Sequence, residues 1–209
     1  MSEPARWHER VEEFVLGQIG DPPARVLEVG CGKGELAQAL ARVGHSVTAI
    51  DPRAPEGPIF RRARIEEFSD PGPFDYVVAS QSLHHVEDLG RALDKIADLL
   101  RAGGALIVVE RARGGERGGR DHGDHANHAE AHFAGWAEEG FHDFGRMRDE
   151  LGRRFVERHF EWVPYLYPDL DEGTSEADES AAIEAGTINA TGFRYVGTVA
   201  LEKEHFQVR

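Results

Sequence analysis

Glu28, Gly30, Gly32, Gly34 and Asp51 are the residues whose types and spacing promise chemistry. The glycines form a G-x-G-x-G turn between a short apolar strand, Val26–Val29, and a helical stretch, Glu35–Val43, closed by Gly44. Glycine lets backbone approach a ligand without a Cβ clash, and a helix start carries unpaired N–H groups. Glu28, just before the first glycine pair, can meet a cationic amino group directly or through water. Asp51 closes the next strand, where a carboxylate can accept both hydroxyls of a ribose. It can equally cap a loop with Pro52. Position 35, where a dinucleotide fingerprint places its third spaced glycine, holds Glu35, so a pyrophosphate at this helix start would face a carboxylate. Cys31 sits inside the turn with no base partner in reach of a sequence argument, so it is not expected to act as a nucleophile.

The 11 histidines are the second source of chemistry. His84 and His85 directly follow an apolar strand. A neutral imidazole there can take a proton from a hydroxyl or amine near neutral pH, or can serve only as a structural hydrogen-bonding group. His122, His125, His128 and His132 lie in the tract Asp121–His132 (DHGDHANHAEAH) and would share one face of a helix. Imidazoles so spaced can bind zinc, with Asp121 and Asp124 as further ligands, but no distant Cys or His pair closes such a site. The expectation is a polar lid without metal; a third reading lets one histidine reach into a neighbouring pocket.

The elements that must position these groups alternate along the chain. Arg6–Gln18 carries Trp7, Val11, Phe14 and Val15 at helical spacing, and Asp21-Pro22-Pro23 ends it. Ser46–Ile50 is a second strand, residues 52–58 a Pro-rich loop, and Ile59–Arg64 a third strand followed by an acidic turn at Glu66-Glu67. Phe74–Ser80 is a fourth strand, supported by Val77-Val78. Asp88–Leu100 is helical, Gly103-Gly104 ends it, and Ala105–Val109 is a fully buried fifth strand. Strands alternating with helices at this spacing predict a parallel sheet covered on both faces. After Glu110 the composition changes. Residues 111–120 (RARGGERGGR) and the His-rich tract read as an insertion or lid over 111–140. Phe141–Leu151 reads as a helix, Phe155–Tyr165 and Gly192–Glu202 as strands, and Glu176–Ala185 as a helical segment.

Glu28–Gly34 (EVGCGKG) resembles motif I of the class I S-adenosylmethionine (SAM)-dependent methyltransferases. Val47–Asp51 resembles that family's next strand with its ribose-binding acid. Phe74–Val86 (FDYVVASQSLHHV) is similar to its fourth-strand motif, and Leu99–Val109 (LLRAGGALIVV) to its strand-five motif, with Ala102 where proline is usual. The resemblance spans about residues 22–110 and is closest to the small-molecule, ubiquinone-biosynthesis-type branch. It implies an α/β, Rossmann-like, seven-stranded, mostly parallel sheet of order 3-2-1-4-5-7-6 with helices on both faces, and the two late strands suit that. It implies SAM as cofactor, held by Glu28, Gly30, Cys31, Gly32, Gly34, Asp51 and Pro52. Arg64, Ile65 and Glu66 would cradle adenine. The family often carries Asp where Arg64 stands, which leaves Glu66 or a backbone group to meet the adenine amino group. Ser80, Gln81 and Leu83 would flank the methionine part, with His84 and His85 as catalytic candidates. Tyr165, Tyr167, Trp162 and Phe193 fall where the family builds its acceptor pocket. They can stack on a flat substrate or be core, and core suits Trp162 better. The arginines of 111–120 can bind an acidic acceptor or lie solvated.

The chain of 209 residues suits one domain: a helix over 1–20, a core over 22–110, the lid, and an acceptor region over 141–209. Asp plus Glu number 38 against 24 Lys plus Arg, a net charge of −14, which disfavours binding to phosphate backbones. No apolar run is long enough to span a bilayer, the N-terminus lacks a signal peptide's apolar stretch, and a single cysteine permits no intrachain disulfide. The expected partner is a small-molecule acceptor, with neither nucleic acid nor membrane, in a cytoplasmic monomer or homodimer. Ser80-Gln81-Ser82-Leu83 stands where base methyltransferases carry an N-P-P-Y-type motif. The rival readings are a nucleotide-dependent oxidoreductase on a similar sheet, which Glu35 disfavours, and a non-catalytic SAM-binding partner protein.

Overall fold

A computed structural model describes residues 3–70, 72–112, 142–165, 175–188 and 190–199. Strands β1 (Arg25–Val29), β2 (Ser46–Ile50), β3 (Phe60–Arg61), β4 (Phe74–Ser80), β5 (Leu100–Arg111), β6 (Phe155–Val163) and β7 (Gly192–Val199) form one seven-stranded sheet in the order β3-β2-β1-β4-β5-β7-β6. β1 through β5 pair in parallel, whereas β7 runs antiparallel between β5 and β6. The expected strand order and the reversed last strand are therefore present.

Helices cover both faces, as fully apolar parallel strands require. On one face lie α1 (Glu3–Gln18) and α2 (Glu35–Arg42). Val11, Val15 and Ile19 pack there with Ala37 and Leu40 against Val26, Ala49 and Ile107. On the other face lie α3 (Leu89–Leu99) and α4 (Phe144–Arg154), whose Leu89, Leu93, Ile96, Met147 and Leu151 meet Leu27, Val77 and Leu106. Asp88 and Asp143 cap these two helices by accepting from the N–H groups of Arg91 and Arg146. A final helix, α5 (Glu176–Glu184), begins with a Ser175–Asp178 capping box.

Several expected elements differ in extent: β5 starts at Leu100 rather than Ala105, α4 at Phe144 rather than Phe141, and β6 ends at Val163 rather than Tyr165. β3 is only two residues long, not Ile59–Arg64, because the chain from Ala63 to Glu66 turns off the sheet to line a cavity. Gly103 does not stop the preceding helix, which ends at Leu99. It sits at φ +71 inside an irregularity of β5, between the pairs Phe74–Leu100 and Tyr76–Ala105. The His tract and the arginines beyond Arg111 lie outside the described residues. Among the described residues, no helix is long and apolar enough to cross a membrane.

Candidate active site at the carboxyl edge of the sheet

In open α/β sheets, ligands settle beyond the carboxyl ends of the strands, where the order reverses. A cavity of about 280 Å³ opens there, walled by the ends of β1, β2 and β4 and by the loop after β3. Gly30, Asp51, Pro52, Arg64, Ile65, Glu66, Gln81 and His85 all line it. These expected site residues come from four separate strand ends. Val29, Ile50, Ala63 and Val86 give the cavity apolar walls, and Arg53 and Ser82 add polar ones.

The first turn is built by backbone constraint. Gly30 and Gly34 have φ of +75 and +81, in the left-handed region that disfavours side chains. A Cβ on Gly30 would come 2.3 Å from Ser82 Cβ, and one on Gly34 2.4 Å from the Phe60 ring. Four N–H groups of the turn are already engaged. Gly30 and Cys31 donate to Ile50 O, Gly34 donates to Cys31 O, and Gly32 donates to Asp51 Oδ2 at 3.2 Å. The cradle therefore presents acceptors and carboxylates, which suits a cation rather than a phosphate. Arg53 N–H donates to Asp51 Oδ1 at 2.7 Å, so this carboxylate is oriented at the β2 end with lone pairs remaining on both oxygens.

Glu28 lies beneath the turn, 4% exposed, and does not line the cavity. Burial raises its pKa to about 8, with a further push from the negative charge of Asp51; a hydrogen bond from Ala37 N–H at the start of α2 partly opposes them. Its Oε2 is buried with no hydrogen-bond partner, and Glu66 Oε1 and Ser82 Oγ share that condition. Cys31 is also buried. Burial first, then the charges of Glu28 and Asp51, push its thiol up to about 12, which removes thiolate chemistry.

After β4 the chain makes a sharp turn. Gln81 adopts φ +50, an unusual state for a residue with a Cβ, and its N–H donates to Val109 O. A 3-10 turn over Leu83–His85 follows. His84 and His85, both catalytic candidates by sequence, part company here. His85 lines the cavity, whereas His84 is buried and its Nδ1 lies 2.6 Å from Glu110 Oε1. Leu83 is core, and neither Leu83, Ser80 nor Cys31 lines the cavity.

Sequence reasoning missed Glu110, which is fully buried in β5. An acid ending the otherwise apolar run ALIVVE was the available signal. It also missed His142, whose Nε2 meets Val86 O at 2.9 Å and so holds a wall of the cavity. In the expected acceptor region, Phe193 is fully buried against Phe144, and Trp162, half-buried, packs with Phe144 and Phe160. Both are core. Tyr165 is buried and accepts a hydrogen bond from Arg111 Nε at 3.0 Å. Tyr167 lies outside the described residues. Among the described residues, no group of three or more acids, histidines or cysteines could hold a metal.

A family profile described as "Methyltransferase domain" matches residues 3–164. The chain belongs to that methyltransferase family. It lies within the class I SAM-dependent superfamily, and membership implies SAM as the cofactor. A ubiquinone biosynthesis O-methyltransferase of Xanthomonas campestris pv. campestris (strain B100) is 38% identical over 112 residues, which cover 46% of the chain and 46% of that protein. The matched stretch thus spans under half the length of this curated relative. N-methyltransferase NodS from Bradyrhizobium japonicum WM9, solved with S-adenosyl-L-homocysteine, superposes with a TM-score of 0.59 at 18% identity, covering 92% of this chain and 86% of NodS. The 1,6-didemethyltoxoflavin-N1-methyltransferase of Burkholderia thailandensis, solved with 1,6-didemethyltoxoflavin and S-adenosylhomocysteine, gives a TM-score of 0.56 at 20% identity, covering 91% of this chain and 76% of that chain. Those two likenesses speak to the fold.

The residues of this methyltransferase-family chain fit SAM on their own terms. A buried acid with an unpaired oxygen beneath the turn suits the α-ammonium of the methionine part. Asp51 suits the ribose diol. Glu66, a residue of the cavity lining whose Oε1 is buried and unpaired, suits an adenine amino group.

Proposed function

We propose that this chain is an enzyme that transfers the methyl group of SAM to an oxygen, nitrogen or carbon atom of a small-molecule acceptor. The observation that supports this reading is the cavity at the carboxyl edge, lined by Asp51 and Glu66, with the unpaired Oε2 of Glu28 buried beneath its first turn. SAM supplies an electrophilic methyl on a sulfonium, so the chain's own work is alignment and the exclusion of water. Asp51 accepts the ribose hydroxyls while its backbone partners keep it in place. Glu28 takes the cationic end, directly or through water. Glu66 meets the adenine edge, the contact that Arg64 cannot make by accepting. His85, on the cavity wall, takes the proton of an acceptor hydroxyl or amine.

Two facts support a small acceptor. One curated relative is named a ubiquinone biosynthesis O-methyltransferase and one solved neighbour holds 1,6-didemethyltoxoflavin, and the net charge of −14 opposes a nucleic-acid partner. Calorimetry with S-adenosylhomocysteine (SAH) and NADH tests the donor site. Binding of SAH is expected; binding of NADH with no response to SAH overturns the reading. A screen of phenolic, amine and enol acceptors with methyl-labelled SAM then identifies the atom methylated.

A further inference from the structure

Glu110 does not itself line the donor cavity, yet more hydrogen bonds converge on it than on any other carboxylate described above. Oε2 accepts from the backbone N–H groups of Ser82 (3.1 Å), Leu83 (3.0 Å) and His84 (3.4 Å). Oε1 accepts from Arg111 N–H at 3.1 Å and faces His84 Nδ1 at 2.6 Å. Since each oxygen already accepts from backbone donors, the proton between the two side chains belongs on Nδ1, and Nδ1–H donates to Oε1. A charge-assisted contact of this length is stronger than a neutral one. The residue is fully buried, so water does not compete for these bonds.

What these bonds hold is the wall of the cavity. The segment Gln81–His85 contributes Gln81, Ser82 and His85 to its lining. Gln81 is held in its strained state from one side by Val109 O, and the following N–H groups are gathered from the other side by Glu110. The His84 ring lies 4.0 Å from the His85 ring, centroid to centroid, so the orientation of one limits the other. Ser82 in turn meets the backbone of Gly30 closely enough that no Cβ fits between them.

We infer that Glu110 is a positioning residue of the methyl-transfer site: it fixes the Gln81–His85 turn and the tautomer of His84, and through them the placement of His85 and Gln81 in the donor cavity. The inference rests on reading that cavity as the methyl-donor site. Buried partners that orient a ligand-contacting group commonly change binding or activity by tenfold or more when replaced.

The decisive test is the ring protonation of His84, read by nitrogen-15 NMR on the full chain. The wild type should carry a proton on Nδ1. Glu110→Gln has one acceptor oxygen for several N–H donors. Turned to the backbone, it leaves its NH2 facing the ring, which should move the neutral ring proton to Nε2. Calorimetry on the same variant should show SAH binding weakened about tenfold. An unchanged tautomer, or unchanged SAH affinity, overturns the inference. Should Glu110→Gln not fold, His84→Asn and His84→Leu decide. The Asn amide can still donate to Oε1, so it should weaken SAH binding about threefold, against about tenfold for Leu. Equal affinities for the two sink the idea. Failure of the wild type to bind SAH removes the donor-site reading and the inference resting on it. The tautomer measurement still reports the Glu110–His84 pair by itself, so the two failures are distinguishable.

Discussion

Glu28 and Glu110 occupy matching places: each is a buried carboxylate one residue from the end of a parallel strand, β1 and β5 respectively, at the carboxyl edge of one sheet. Their surroundings are opposite. Glu110 is surrounded by N–H donors and has a role in the fold whether or not a ligand is present. Glu28 keeps an unpaired oxygen and a pKa near 8, the signature of a charge that its own fold does not stabilise. The difference separates an acid that builds the site from an acid that serves a ligand. Burial alone does not tell them apart; the tally of donors does.

Removing each carboxylate tests that division most strongly. Glu110→Ala leaves several buried N–H groups and the His84 ring without an acceptor, and should cost about 3–5 kcal/mol of stability. Glu28→Ala removes a buried carboxyl, mostly protonated at pH 7.5, with an oxygen that has no hydrogen-bond partner, so its loss of packing is partly offset and the net effect should stay near about 1 kcal/mol. Chemical denaturation of the two variants at pH 7.5 measures this. A larger loss for Glu28→Ala would break the comparison.

The two regions meet where Gly30 touches Ser82. Gly30→Ala adds a Cβ 2.3 Å from Ser82 Cβ at φ +75. It must push the β1 turn away from the segment that Glu110 holds, at a cost of about 1–3 kcal/mol. SAH binding should fall more than tenfold. If affinity survives, the two turns do not form one rigid cradle.

A pH series sharpens the contrast. The folded-state pKa of Glu28 lies near 8, above its ordinary value of 4.5. Its contribution to stability is therefore fully present below about pH 4.5 and is lost as pH rises through about 8, by up to about 1.4 kcal/mol for each unit between. Glu28→Gln lacks that loss. The stability difference between variant and wild type should move in the variant's favour from pH 5 to 8, as thermal unfolding would show. Binding a cationic ligand requires Glu28 ionised, so SAH binding by the wild type should release protons below pH 8, seen by calorimetry in buffers of different ionisation enthalpy. The variant should release fewer protons and bind SAH about tenfold more weakly. An equal pH slope in the two proteins would remove Glu28 from the account.

The donor half of this arrangement was legible because it is local. A strand, a glycine turn and a helix within Val26–Glu35 state their own geometry, and Asp51 follows at the end of the next strand. The strand order came from the resemblance, and the alternation of elements supported it. Glu110 was hidden because its partners are 26 to 28 residues away in sequence, and only the parallel pairing of β4 with β5 brings them together. The same cause made His84 and His85 look equivalent. The two rings stay 4.0 Å apart, centroid to centroid, yet only His85 reaches the cavity lining, because the acid on the neighbouring strand holds His84. The third strand was overextended for a related reason: Ile59–Arg64 reads as an unbroken run, but the cavity draws Ala63–Glu66 out of the sheet.

The smallest predicted effect concerns the third acid, Glu66, which sits on the ligand's side of the division by the same criterion as Glu28: a buried, unpaired oxygen, here on the cavity wall itself. If Oε1 accepts from the adenine amino group, replacing that amino group by an oxygen sets two acceptors against each other. Wild-type protein should then prefer SAH over S-inosylhomocysteine by about tenfold, the scale of one unmatched hydrogen bond. Glu66→Gln can turn its NH2 toward the inosine oxygen, so the preference should narrow to about twofold while SAH affinity itself falls only a few fold. Competition calorimetry with the two nucleosides reads the ratio. A variant that keeps the tenfold preference would show that the adenine edge is read by backbone instead. Unpaired oxygens at this edge would then mark a ligand only beneath the glycine turn.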